Sequence, residues 1–550
     1  MPERSPSREP SAPTSADGSR PLRVLLAGRP GTLTRFTSVV RELAERGHAV
    51  TLVIRSPHPL VVGLAESLHA RYPNVTHEPA PHRGDLDGWR YVAWIVRGLG
   101  DLARYTHPRY EGAPVLRQRM AQETRDLLRK KRFEPLGRAI ASRVERRLET
   151  TIDAQLSERA VRTAGRMEDA IPSSKRIERY LREREPDVVL VSSIVRPASE
   201  EVELLKSARR LGIPGGICVA SWDNLTNKGL LKFVPDRVFV WNEAQVDEAA
   251  ELHGIPADRV RATGAGLFDE WFERRASRTA EEFAYEVGLD PARPFVAYLC
   301  SSRPIARHGE VEFVTAWIRA LRASDDERVR SLGVLVRPHP TAGRTWRRAD
   351  LSALGNAVVW PRKGAFTVGG PERDDFFDTL AHAAAVVGIN TTAMIEAAVV
   401  GKSVLTVLRP EFAQETTLHF HHLLAENGGF LHVAGTLDEH VAQLEAVLAG
   451  DDAEARRRFV ERFVRPQGID RPATPILANA IEELAEVEVE PARPGQLPLR
   501  IALGAEAMLS SAYTAPRHAV RHLRRGRRSR GAEPEGAALE APSAVRTADR

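Results

Sequence analysis

Short apolar runs and helix-spaced segments alternate along most of this chain. "RVLLAG" (23–28) has the continuous apolar character of a buried strand, "RFTSVVRELAERG" (35–47) places its apolar residues at helical spacing and stops at Gly47, and "HAVTLVIR" (48–55) is a second strand. A strand, a helix and a strand within about thirty residues form a βαβ unit, which predicts a parallel sheet. The rhythm returns with "PDVVLVSS" (186–193), a helix over 199–211, "GGICVAS" (215–221), "DRVFVWN" (236–242), a helix over 243–253 and "RVRATGA" (259–265). It repeats in "PFVAYLCSS" (294–302), a helix over 311–322, "LGVLVRP" (332–338), "AVVWP" (357–361), a helix over 374–383, "AAVVGI" (384–389), a helix over 392–400 and "SVLTVL" (403–408).

This pattern predicts an α/β protein with two doubly wound, Rossmann-like domains facing across a cleft. We place the first over residues 21–265 and the second over 266–485, joined near 270–294. Residues 86–180, Arg- and Glu-rich and periodic ("AQETRDLLRKKRFEPLGRAIASRVERRLE", 121–149), interrupt the first domain as a helical insertion. Residues 1–20 are a Pro/Ser/Arg-rich leader without the apolar stretch of a signal peptide, and 486–550 read as a Pro/Ala/Arg-rich basic tail outside the fold.

Composition narrows the function. Hydrophobic residues make up 42% and charged residues 28%, a globular profile. No run approaches the roughly 18 apolar residues that span a bilayer. The two cysteines, Cys218 and Cys300, are far apart at the ends of apolar runs, which supports neither a disulfide framework nor a Cys-based metal site and fits a reducing cytoplasm. The formal charge of +6 is concentrated in the insertion and in "RHAVRHLRRGRRSR" (517–530), so the motif-bearing domains give no footprint for nucleic acid. The basic tail reads either as a solvated segment or as an attraction to anionic lipid at the inner face of a membrane.

In doubly wound sheets ligands bind beyond the carboxyl ends of the strands, so the residues just after each strand are the candidates. "YLCSS" delivers Ser301, Ser302 and Arg303; "VLVRPHPT" delivers Arg337, His339 and Thr341; "VVGINTTAMIEAA" delivers Asn390, Thr391 and Thr392 ahead of a helix carrying Glu396. Hydroxyls and free N–H groups at a helix start suit an anion, and Glu396, one turn deeper, suits a ribose diol. The alternative is an ordinary Thr cap with a solvated Glu. His339 is read as a phosphate donor held by Pro338 and Pro340, with Arg337 offsetting the same charge. In the first half, "VASWDNLTNKG" (219–229) puts Trp222, Asp223, Asn224 and Lys228 on a strand-end loop. Asp223 is a candidate general base for an acceptor hydroxyl, or an Asp-Asn turn; His308 is the alternative base, or a surface histidine.

"RPHPT" followed by "NTTAMIEAAVVGKSVL" resembles the motifs of two-domain GT-B transferases, namely CDP-glycerol glycerophosphotransferases and the His-Pro-motif sialyl- and capsule-polymer glycosyltransferases, and more distantly UDP-N-acetylglucosamine 2-epimerase. The resemblance spans roughly residues 185–485. It implies a nucleotide-activated donor as substrate without a cofactor, His339 at the phosphates, Thr391 and Thr392 as the hydroxyl pair and Glu396 at the ribose. It further implies a surface-polymer or lipid-linked glycan acceptor. Two departures stand out: the hydroxyl pair is Thr-Thr in place of Ser-Ser, and the N-terminal half lacks the acidic-acidic-Gly motif that carries the sialyltransferase base. The competing readings are a nucleotide-sugar epimerase and a non-catalytic nucleotide-sugar or glycan binder.

Overall fold

The computed structural model describes residues 20–512, apart from 56–58, 131–134, 193–195, 197–198, 304, 307, 341, 365–369, 451–452 and 492–495. The first sheet contains β1 (Arg23–Gly28), β2 (Ala49–Ile54), β3 (Val75–Pro79), β4 (Val188–Ser192), β5 (Gly215–Cys218), β6 (Arg237–Val240) and β7 (Val260–Ala262), in spatial order 3-2-1-4-5-6-7. The second contains β8 (Phe295–Leu299), β9 (Gly333–Arg337), β10 (Ala357–Val359), β11 (Ala385–Gly388), β12 (Val404–Val407) and β13 (His432–Ala434), in order 10-9-8-11-12-13. Every pairing is parallel. In both sheets the order reverses beside the first strand, the doubly wound arrangement in which crevices open at the carboxyl ends. Two such domains facing one another are the GT-B architecture. Two edge strands escape the sequence pattern: β3 ("VTHEP") is largely polar, and β13 has only three residues.

The parallel strands read as solid apolar runs because helices cover both faces of each sheet. Val24, Leu26 and Leu190 point to one side of the first sheet, Leu25, Val189 and Val191 to the other. The second sheet is clad in the same way. Its core continues into the first domain through Trp222 and Trp241, so the two domains share buried surface.

Two assignments change. Helix Ala473–Ala485 returns to the first sheet, packing Leu477, Ile481 and Leu484 there, with Glu482 bound to Arg46 and His48; it belongs with the N-terminal domain. Asp269 caps its start, accepting from the amides of Ala473 (3.0 Å) and Thr474 (2.7 Å). Residues 497–512, expected outside the fold, form a helix docked on the insertion. The insertion, between β3 and β4, carries helices Gly88–Arg104, Pro114–Lys130, Pro135–Thr150 and Ala154–Ala170. It is tied to the domain by buried ions: Arg97 binds Glu168 at 2.7 Å and Glu203 at 2.5 Å, and Asp101 binds Lys232 at 3.0 Å. Residues 1–19 of the leader, the segment 517–530 and Thr341 lie outside the described residues.

Candidate active site

Between the two domains lies a cavity of about 1110 Å³. The C-terminal domain contributes His339 and Pro338 from the end of β9, and Thr391, Thr392 and Glu396 from the end of β11. Opposite them stand Gly31, Arg35 and Arg41, from the turn after β1 and the helix that follows. Shortly after this strand end the chain is tightly seated: a Cβ on Gly343 would come within 2.1 Å of the Lys363 carbonyl oxygen, so only glycine admits this approach.

Each wall has its own electrostatics. Burial lowers the His339 imidazole to about 4, so near neutrality it is an uncharged hydrogen-bonding group. Burial also raises the Glu396 carboxyl, with Arg373 and Arg35 pulling it back. Arg373 is paired with Glu270, and its charge is opposed by that of Arg41 nearby. Among the described residues neither Arg35 nor Arg41 makes a salt bridge; Arg35 donates only to the Ala220 carbonyl at 3.3 Å. Two guanidiniums without carboxylate partners, across from hydroxyls and a neutral imidazole, form a cleft suited to an anion. Thr391 Oγ1 caps the Ala393 amide at 3.4 Å, and the helix Ala393–Val399 is so short that its dipole adds little beside these direct groups.

Several candidates are engaged elsewhere. Arg337 is buried and spends Nη1 on Asp375 Oδ2 (2.8 Å) and Thr379 Oγ1 (2.7 Å), although it reaches the cavity lining and its Nη2 has no hydrogen-bond partner among the described residues. Ser301 is fully buried: its amide donates to Glu310 at 2.8 Å, and its hydroxyl accepts from the Asn390 amide at 3.2 Å, joining the ends of β8 and β11. Asn390 is likewise internal, donating to the Ala413 carbonyl and Thr417. The Ser302 carbonyl closes a turn with Ile305, and Arg303 and His308 are exposed and outside the cavity lining. Asp223 also stands off the lining. Burial favours its neutral form, but the Lys228 ammonium at 2.8 Å outweighs this and holds it far below the usual carboxylate range, making it a poor base.

The "SWDNL" loop instead braces the domains. Trp222 Nε1 donates to Thr392 Oγ1 at 3.2 Å, and the Trp222 ring meets His419 edge-on at 4.4 Å. Asn227 also contacts His419, which reaches Asn390 Oδ1 at 3.0 Å. Within the loop, Asn224 accepts from the Ala220 amide at 3.3 Å. Trp222 therefore orients one of the two cleft hydroxyls.

Arg35, Arg41 and Arg373 are the site residues that strand-end reasoning missed. They sit on helices and not directly after strands; "RFTSVVRELAERG" offered only arginines at helical spacing, without a sign of which face meets the cleft. A smaller hollow of about 270 Å³ lies at the ends of β1, β2 and β3. Arg55–Glu201 (2.9 Å) and Arg90–Glu200 (2.7 Å) line it, and Glu201 Oε1 is buried without a hydrogen-bond partner among the described residues.

Glu310 supplies a pH test. Buried beneath Ser301, its carboxyl is raised to about 7 by burial. A carboxyl with a raised folded-state value stabilises the fold fully below its unfolded value near 4.5, and that contribution is lost as pH rises through about 7. Glu310→Gln keeps an acceptor for the Ser301 amide and removes the charge. It is expected to match wild type at pH 5 and to exceed it in unfolding free energy at pH 8.5 by a few kcal/mol, at about 1.4 kcal/mol per tenfold change in proton affinity, with a correspondingly higher melting temperature. Equal melting at both pH values would contradict the buried placement of this carboxyl.

No protein-family model and no curated protein matches the chain. Solved structures similar to it include UDP-GlcNAc 2-epimerase from Neisseria meningitidis bound to UDP-GlcNAc (12% identity, 84% of this chain and 100% of that chain, TM-score 0.46). They also include a glycosyltransferase from Rickettsia africae ESF-5 (9%, 85% and 100%, 0.48) and UDP-GlcNAc 2-epimerase from Methanocaldococcus jannaschii (10%, 80% and 98%, 0.44). At such identities and TM-scores nothing about this chain's chemistry follows from them. This chain's own two sheets, both parallel and both reversing beside their first strand, make it a GT-B-type protein.

Proposed function

We propose that this protein is a transferase that moves a glycosyl or glycerophosphate group from a nucleotide-activated donor to a surface-polymer or lipid-linked glycan acceptor. The observation that carries this reading is the convergence, in one interdomain cavity, of His339, Thr391, Thr392 and Glu396 with the salt-bridge-free guanidiniums of Arg35 and Arg41. In this reading the donor diphosphate lies against the two hydroxyls and the neutral imidazole, and Glu396 accepts from the ribose. An acceptor oxygen attacks the transferred group; the bond from the sugar to the diphosphate breaks in glycosyl transfer, or the P–O bond within the diphosphate in glycerophosphate transfer, and Arg35, Arg41 and Arg373 offset the charge left on the departing nucleoside diphosphate or monophosphate. Fixed donors aimed at developing charge are the efficient form of such stabilisation. The acceptor side rests on the smaller hollow, where the spare oxygen of Glu201 is available to a hydroxyl and to its proton.

The test is a thermal-shift panel of UDP, CDP, GDP and CMP and their sugar or glycerol conjugates, on wild type, His339→Ala and Glu396→Ala. One nucleotide at a hundred times its Kd should stabilise wild type by about 2.7 kcal/mol and should do so much less in either variant. No shift with any nucleotide would sink the proposal. A nucleotide-sugar epimerase is the second reading, favoured by the three acids of the cavity lining, Glu270, Glu273 and Glu396. It predicts an epimerised or free sugar from the donor alone, without acceptor, visible by proton NMR.

A further inference from the structure

The helix over residues 497–512 has one face docked and one face bare. On the docked face, Leu503 and the buried Ala507 pack on Val92, Ala93 and Val96 of the insertion, and Ser511 Oγ accepts from the Gly88 amide at 2.9 Å. The approach is close enough that a Cβ on Gly88 would fall 1.7 Å from the Ala507 carbonyl oxygen, so the helix cannot roll about its axis without losing this seat. At about 100° per residue, Leu497, Ile501, Ala505, Met508 and Leu509 then share an arc of about 120° on the opposite side. Leu497, Ile501, Met508 and Leu509 are 67%, 65%, 71% and 55% exposed, and Leu86, next to the docking seam, is 48% exposed. The positions of 497–512 that fall within this arc are Leu, Ile, Met, Ala or Pro, without a charge.

We infer that this outer face is a docking surface for an anionic lipid bilayer, lying flat in the interface. What selects the occupant is the sequence that follows. Residues 513–530 hold Arg517, Arg521, Arg524, Arg525, Arg527 and further arginines, with no acidic residue. An apolar helix face continued by such a segment joins two attractions of the membrane interface: burial of apolar side chains at the headgroup boundary, and about 1 kcal/mol per basic residue near anionic headgroups. A second copy of this chain would bring the two arginine segments together, and a purely apolar partner would leave them unused. No helix among the described residues is long and apolar enough to cross a membrane, so the contact is peripheral. The inference does not depend on the chemistry assigned to the cleft.

The test is co-sedimentation of the full chain with phosphatidylcholine vesicles and with vesicles carrying phosphatidylserine, comparing wild type with Ile501→Glu/Met508→Glu. Both side chains point into solvent, so the melting temperature of the variant should equal that of wild type and report an intact fold. Wild type should sediment with the anionic vesicles and scarcely with the neutral ones, and the variant should bind the anionic vesicles at least tenfold more weakly. Equal sedimentation of variant and wild type would assign binding to the arginine segment alone and overturn the role of the helix. Failure of wild type to sediment with any vesicle would overturn the membrane altogether. A dimer in light scattering that the two glutamates dissociate would make the face a self-association surface instead. Nucleotide thermal shifts on the same preparations report on the cleft, so either idea can fail without the other.

Discussion

Replacing Arg35 and Arg41 together by alanine is expected to weaken nucleoside-diphosphate binding about a hundredfold while moving the melting temperature of the free protein little. A hydrogen bond to a charged group contributes about 1.5–3 kcal/mol, so losing two such contacts, at about 1.4 kcal/mol per tenfold in Kd, gives that factor even at the lower end. The fold has little stake in either side chain: Arg35 makes a single bond to a carbonyl and Arg41 makes no salt bridge among the described residues. Arg337→Ala should behave in the opposite sense. It strips Asp375 of a buried partner at 2.8 Å and should lower the melting temperature, although Arg337 opens the same "RPHPT" motif that brings His339 to the cleft. Isothermal titration of the nucleotide chosen by the thermal-shift panel, paired with melting curves, separates the two behaviours. Unchanged affinity in the double variant would mean that the diphosphate does not lie between the domains.

Arg97→Ala should destabilise the protein more than either of these changes, costing about 3–5 kcal/mol, the usual result when one partner is removed from a buried ion network. Arg97 is 3% exposed and binds Glu168 at 2.8 and 2.7 Å, Glu203 at 2.5 Å and the Ser199 carbonyl at 3.0 Å. Glu168 belongs to the insertion and Glu203 to the helix after β4, so this guanidinium fastens the one to the other. Its removal leaves two carboxylates facing each other in the interior, with Lys206 and Arg83 as the remaining cations. A fall of roughly 5–10 °C in the first unfolding transition would accord with a cost of this size. A melting curve within about 1 °C of wild type would show that the insertion is held by apolar packing alone. The same insertion helix carries Arg90, which reaches Glu200 at the rim of the smaller hollow.

Much of the fold is legible in the chain because a strand buried on both faces must be apolar throughout, and a covering helix must repeat its apolar residues every three to four positions. Both are local properties. They identify eleven of the thirteen strands among the described residues, the doubly wound halves and the helical insertion. They fail at β3 and β13, edge strands too polar or too short to stand out, and at helix Ala473–Ala485, whose apolar face does not say which sheet it will cover. The site divides in the same way. His339, Thr391, Thr392 and Glu396 line the cavity because residues directly after strands of a parallel sheet must emerge at one edge, a matter of strand direction alone. Asp223, Ser301 and Asn390 are the same kinds of residue in the same kinds of place, yet each is taken up by a partner within the fold: Lys228 with its loop, Glu310, and Ala413 with Thr417; Arg337 reaches the lining but spends one nitrogen on Asp375. Whether a charge serves a ligand or the interior depends on which opposite charge the fold brings within hydrogen-bonding distance. The order of residues is thus enough to specify the architecture and the edge at which chemistry can occur. Which side chains stay uncommitted at that edge is settled by the folded chain, because charge pairing depends on distances in space that periodicity along a chain does not encode.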